Sequence, residues 1–228
     1  VFGKSPTEAR TQMNFMLQGG LALPELSGRE NIEFYTDLHP KANDGWRELL
    51  DRLELTGELE KRVRDYSGGM VRKLELAIAM SVDVPLYLLD EPVAELDLTT
   101  IDQFHALIRE ERNREKTVVI SSHTPADMEI ADRIVFVRDG TVVADDAPDA
   151  LFCALAPVVR VAGRADTEQV RESLRAGRFF EGDAVRRGFL REGIDSETVE
   201  KFGDGVRIEE PTWTDLFNFY VYIVPEDE

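Results

Sequence analysis

The sequence predicts an α/β fold with a mostly parallel sheet, followed by a small α+β appendage. Three observations carry this. "LYLLD" (86–90) and "TVVIS" (117–121) are short continuous apolar runs, the pattern of strands buried on both faces. Between them "TTIDQFHALIREERNRE" (99–115) reads as a helix, so strand, helix and strand alternate as in a parallel arrangement. After Ala156-Pro157 the pattern changes to shorter, mixed segments, which places a boundary there: one domain over 1–156 and an accessory domain over 157–228.

Taken in chain order, residues 11–23 are mixed, with Met13, Phe15, Met16 and Leu17 ahead of "QGG". "ENIEFYTDL" (30–38) can start a helix. "DGWRELLDRLEL" (44–55) places Trp46, Leu49, Leu50 and Leu53 on one helical face, with Asp44 available as its cap. "SGGMVRKLELAIAMSV" (67–82) reads as a second helix, its apolar positions Val71, Leu74, Ile78 and Met80 near helical spacing. Beyond the two strands, "ADMEIA" (126–131) is a short helix, and "RIVFVRDGTVVADD" (133–146) is a hairpin turning at Asp139-Gly140. In the appendage, "VVRVAG" (158–163) and "GVRIEE" (205–210) are strand-like, while "DTEQVRESLRA" (166–176) and "TWTDLFNFYVYI" (212–223) are helical.

The 228 residues carry 45 acidic against 27 basic side chains, a formal net charge of -18. Such a surface repels phosphates, which argues against nucleic acid as a partner. It serves solubility, and its density fits a halophilic acidic surface adapted to strong salt screening. The one cysteine, Cys153, excludes a disulfide framework and a cysteine metal site, and fits a cytoplasmic setting. No apolar run approaches the length of a membrane span. The chain starts at Val1 instead of Met, already inside structured sequence, so an upstream part is expected to be missing.

Two stretches carry chemistry. Ser67-Gly68-Gly69 opens a helix: Ser67 can cap it, the glycines admit close backbone approach, and the free N–H groups with the helix dipole favour an anion. Asp90-Glu91 ends a buried strand, the edge where open α/β sheets hold their ligands. There Asp90 can organise Mg²⁺ and Glu91 can polarise a water. His123 follows the strand 117–121 and is expected at the same sheet edge.

In this order the pieces resemble the nucleotide-binding subunit of ABC transporters, an ATPase of the P-loop class. "YSGGM" (66–70) is similar to the family's signature, "LYLLDEP" (86–92) to Walker B with its glutamate, "AELD" (94–97) to the D-loop, and "SSH" (121–123) to the switch histidine. "QGGLALPELSGRENI" (18–32) is similar to the Q-loop segment. The likeness covers about residues 1–151 and implies a helical signature subdomain over about 30–82. It implies that Asp90 organises Mg²⁺, that Glu91 is the general base, that His123 meets the γ-phosphate, and that Gln18 touches Mg²⁺ or water. It further implies that Ser67, Gly68, Gly69 and Met70 bind ATP held by the opposite protomer, with Asp97 coupling the two sites. ATP and Mg²⁺ are the implied ligands. The implied partners are a second ATP-binding subunit, identical or different, and transmembrane permease subunits at the inner face of the membrane. Tyr66, Met70 and Glu95 depart from the family's usual Leu, Gln and small residue. "EEPTWTDLFNFY" (209–220) is similar to a segment near the end of ABC-2 exporters, which points to export.

The 228 residues contain no complete G-x-x-x-x-G-K-[ST]. Gly3-Lys4-Ser5 matches only its tail, with Pro6 next and Gln18 only thirteen residues beyond Ser5. "VFG" instead fits the strand that follows the phosphate-loop helix in the family. The expectation is therefore an ABC-type ATPase core incomplete at its N-terminus, inactive as this fragment alone. The alternative is a non-catalytic chain that lends signature and D-loop elements to a partner's ATP site. A third reading, an ATPase of chromosome maintenance, is disfavoured, because Gln18 to Ser67 holds no heptad run and the chain is acidic.

Overall fold

The computed structural model describes residues 3, 5–18, 20–163, 168–179 and 185–223. Its first helix is set by four residues, S-P-T-E. The Ser5 hydroxyl accepts from the Glu8 N–H at 3.4 Å, and the Glu8 carboxylate accepts from the Ser5 N–H at 3.0 Å. Pro6 takes the first helical position, where its missing N–H costs nothing, and α1 (Pro6–Arg10) follows. Ser5 is thus a helix cap and not part of a strand. The rest of the strand expected at "VFG", apart from Gly3, lies outside the described residues.

Three helices build an apolar layer in the first compact unit, Val1–His123. They are α2 (Gly28–Leu38), α3 (Trp46–Arg52) and α4 (Gly68–Met80). Ile32 of α2, Trp46, Leu49 and Leu50 of α3, and Leu74, Leu76, Ala77 and Ile78 of α4 are all buried. Burial of each large apolar side chain is worth about 1.5–3 kcal/mol. The cap of α3 is Gly45, one residue after the expected Asp44.

The sheet of this unit has the order β1 (Met13–Met16), β2 (Leu86–Asp90), β3 (Thr117–Ser121), all parallel. Helix α5 (Leu98–Asn113) connects β2 to β3. β2 matches the expected range. β1 was read only as mixed sequence; the Asn14 side chain breaks its apolar run and donates to the Ala79 carbonyl of α4 at 2.7 Å.

The expectation that β2 and β3 are both buried on two faces needs correction. Tyr87 and Leu89 are fully buried, and Tyr87 shares a cavity with Met80 of α4 and Leu107 of α5. The opposite row consists of Phe15, Leu88 and Val119, aligned across the three strands by the parallel register. Phe15 is 47% and Val119 52% exposed. The helices of the unit lie on the Tyr87 side and leave this row open.

The second compact unit is Thr124–Glu228. β4 (Ile134–Arg138) and β5 (Thr141–Asp146) form the expected antiparallel hairpin. Asp139 (φ 49°) and Gly140 (φ 76°) both take the left-handed conformation that a tight two-residue hairpin turn demands. A short helix α6 (Pro148–Cys153) leads into a three-stranded antiparallel sheet, ordered β7 (Val185–Phe189), β6 (Val158–Ala162), β8 (Val206–Glu209). Two small helices, α7 (Glu168–Glu172) and α8 (Ser196–Glu200), connect these strands. α9 (Trp213–Asn218) closes the unit and runs into a wider helical turn, Phe219–Ile223.

One apolar core joins Ile134, Phe136 and Leu151 to Val158, Phe189, Leu216 and Tyr220. Phe136 and Tyr220 stack with centroids 4.8 Å apart. The hairpin therefore shares a core with the last helix, and the boundary expected at 156/157 falls inside this unit. Arg187 holds the 209–215 segment, pairing with Asp215 at 2.8 Å and Glu209 at 2.6 Å.

Candidate functional site

Parallel strands send the residues that follow them out at one sheet edge. Gln18 follows β1, Asp90 ends β2 with Glu91 next, and His123 follows β3. The edge is closed by hydrogen bonds. The Ser121 hydroxyl donates to the Asp90 carboxylate, and the Glu91 N–H donates to the Ser121 carbonyl at 3.0 Å. Glu91 then turns with φ 46°, a left-handed conformation that non-glycine residues adopt at a cost.

That turn aims the Glu91 carboxylate between two donors. The Gln18 side-chain amide donates to one oxygen at 2.9 Å, and His123 Nε2 lies 3.0 Å from the other. His123 is 83% exposed and Glu91 23% exposed. The Glu91 carboxylate, partly screened from water at a strand end, is thus bridged by an amide and an imidazole. Glu91 and His123, expected at one edge, touch, and Gln18 joins them through the Glu91 carboxylate. Asp90 stands beside them.

The signature segment forms a separate feature. Ser67 caps α4 by accepting from the Met70 N–H at 3.3 Å. Gly68 lies against the Glu95 carboxylate, and a Cβ on Gly69 would stand 3.2 Å from the Glu95 carbonyl oxygen. Glu95 itself is left-handed (φ 65°). Asp97 caps α5, accepting from the Thr100 N–H at 2.9 Å and the Thr100 hydroxyl at 2.8 Å. These two bonds hold the Asp97 carboxyl below the usual range. The hydrogen bonds observed for Ser67, Met70 and Asp97 stay within their own helix starts and do not reach Gln18, Glu91 or His123.

Two residues at the centre of this region escaped the sequence reading. Arg72, in the second turn of α4, donates to the carbonyls of Asp90 (2.6 Å) and Glu91 (2.5 Å). Glu75 pairs with it at 3.0 Å. The signal was legible: two opposite charges three apart on a helix otherwise rich in Val, Leu, Ile and Ala.

Among the described residues no cluster of three or more His, Cys, Asp or Glu side chains suits a metal cage. The edge offers hard oxygen donors instead, the Asp90 carboxylate, the Ser121 hydroxyl and the Gln18 amide oxygen. That set fits Mg²⁺, which takes one or two protein oxygens and draws its other ligands from water and phosphates. No helix among the described residues is long and apolar enough to cross a membrane.

Residues 3–94 match the ABC transporter family. The ABC-type match spans the Gln18 segment, α4 and β2 through Glu91. A fluoroquinolones export ATP-binding protein of Mycobacterium tuberculosis is 33% identical over 131 residues, 57% of this chain and 44% of that protein. A macrolide export ATP-binding/permease protein of Nitrosomonas europaea is 33% identical over 144 residues, 61% of this chain and 22% of that protein. The chain spans under half the length of these curated relatives. Among solved structures, an ATP-binding subunit of an ABC transporter superposes with TM-score 0.58 at 20% identity, over 64% of this chain and 63% of that one. The ATP-binding cassette MJ0796, a dimer bound to ADP and Pi, gives TM-score 0.55 at 23% identity, over 64% and 68%. The fold is that of an ABC ATPase.

Proposed function

We propose that this chain belongs to the ATP-binding and ATP-hydrolysing component of an ABC exporter. The observation that carries the proposal is the Glu91 carboxylate held between Gln18 and His123 at the carboxyl edge of the sheet. The two curated relatives described above are named for export, which supports the direction of transport.

In this reading Glu91 takes the proton from a water attacking the γ-phosphoryl group, a step for which a carboxylate within hydrogen-bond reach suffices. Gln18 and His123 hold that carboxylate in place until ATP arrives, then turn their donors to the water and the γ-phosphate. Asp90, with Gln18, would hold Mg²⁺, which neutralises charge on the phosphates. Ser67, Gly68, Gly69 and Met70 form the α4 terminus that meets ATP on the opposite protomer, where the Gly68 and Gly69 N–H groups and the Ser67 hydroxyl face its phosphates. Asp97 links the two sites across that dimer. The partners are a second ATP-binding subunit and a permease at the inner face of the membrane.

Phosphate release by the gene product carrying these residues tests the assignment. Glu91→Gln keeps the shape and the bond to His123 but removes the proton acceptor. Turnover should fall by about a hundredfold or more. His123→Ala should lower it less. Turnover unchanged in Glu91→Gln would remove Glu91 from its role.

A further inference from the structure

Arg72 and Glu75 form the most buried ion pair at this end of the unit, with side chains 9% and 3% exposed. An ion pair taken out of water is rarely worth more to stability than an apolar pair of the same volume. Its distinctive property is directional bonding, and here both terminal nitrogens of Arg72 are engaged twice over, while its Nε has no partner. One Arg72 nitrogen donates to the Asp90 and Glu91 carbonyls. The other donates to Glu75 and, at 3.3 Å, to the Leu17 carbonyl. Glu75 accepts in turn from the Leu21 N–H at 2.7 Å and the Ala22 N–H at 3.4 Å.

Five backbone groups are therefore tied to one pair. Leu17, Leu21 and Ala22 bracket Gln18 on the segment after β1. Asp90 and Glu91 form the turn after β2, where Glu91 is held left-handed. We propose that Arg72–Glu75 is a positioning clamp that fixes the Gln18 segment against the Glu91 turn, so that the Gln18 amide meets the Glu91 carboxylate. Both residues act through other groups and are not themselves catalytic. Because the clamp sits on α4, it also ties that contact to the helix begun by Ser67-Gly68-Gly69. Its functional consequence rests on the ATPase reading, whereas the clamp itself does not.

The test uses the full chain and the paired variant Arg72→Met/Glu75→Met, which removes both charges and leaves neither buried alone. Amide hydrogen exchange is read residue by residue. Exchange at Leu21 and Ala22 should rise about tenfold or more, while Leu76–Ala79 of α4 and Tyr87–Leu89 of β2 stay within about twofold. Glu75→Gln, which keeps the packing and a weaker acceptor, should raise the same two amides by less. Unchanged exchange at Leu21 and Ala22, or an equal rise throughout the unit, would overturn the clamp. If the paired variant does not fold, the single variant decides on the same two amides.

In the gene product carrying these residues, the paired variant should lower kcat about tenfold or more with KM within about threefold, the mark of lost positioning over lost binding. An equal loss in stability and in both kinetic constants would assign the pair a structural role. Absence of ATP turnover in the wild type would sink the ATPase reading alone and leave the exchange comparison to decide the clamp.

Discussion

Tyr66 stands where the signature segment usually carries a leucine, and its hydroxyl explains what the larger side chain adds. It donates to the Glu58 carbonyl at 2.8 Å and packs over Gly28, at whose position a Cβ would collide with it. The start of α2 is thereby fastened to the start of α4. Burial, then the nearby Glu58 and Glu60, push the phenol up from 10.0 to about 12. A phenol raised in the fold favours folding while protonated. Its contribution is therefore complete below pH 10 and lost as the pH climbs from 10 to about 12. Burial also raises Tyr35, Tyr87 and Tyr220, so an ultraviolet titration should show a late-ionising group of tyrosines that loses one member in Tyr66→Phe. That variant should lose about 1 kcal/mol at neutral pH by denaturant unfolding. A normal titration for Tyr66 would remove its tie to α2. At this scale the sequence was legible in type more than in contact. Glu91 and His123 could be named from their places after strands. The bonds from Gln18 and His123 to one carboxylate depend on three strands aligned in register, which no local pattern states.

The elements divide by how much of their reason is local. α4 was readable in full because Ser67, two glycines and an apolar periodicity all point one way. α1 was equally readable, since Ser5 and Glu8 are a capping-box pair with Pro6 between them, but Gly3-Lys4-Ser5 drew attention to a different motif. β1 is only four residues and owes its existence to pairing with β2, a long-range cause. The face of the sheet bearing Phe15, Leu88 and Val119 shows the limit of pattern reading. Apolar runs reveal strands but not which side a helix will cover. This row gives a direct consequence. Exposed apolar side chains aligned across neighbouring strands promote association. The paired variant Phe15→Ser/Val119→Thr should reduce self-association of the isolated chain in light scattering, with its circular dichroism retained. Equal association would show that the row stays out of contact between copies.

The chain is acidic and divides into two compact units, Val1–His123 and Thr124–Glu228. Its division differs from the one composition indicates. Residues 134–151 read as the close of the first domain, yet Phe136 and Leu151 share a core with Leu216 and Tyr220. Aromatic packing between segments some eighty residues apart is invisible to a scan along the chain, whereas a change of strand and helix rhythm is conspicuous. The proposed mechanism also belongs to this scale, because in it the α4 terminus and Asp97 would act on ATP held by another protomer. The central claim is that Glu91 at the sheet edge completes hydrolysis in such a pair. Sedimentation of the Glu91→Gln gene product with and without ATP tests it most directly. The account predicts a stable ATP-dependent dimer in the variant, while the wild type returns to monomer as ATP is consumed. A variant that stays monomeric at saturating ATP, or that hydrolyses at the wild-type rate, would contradict it.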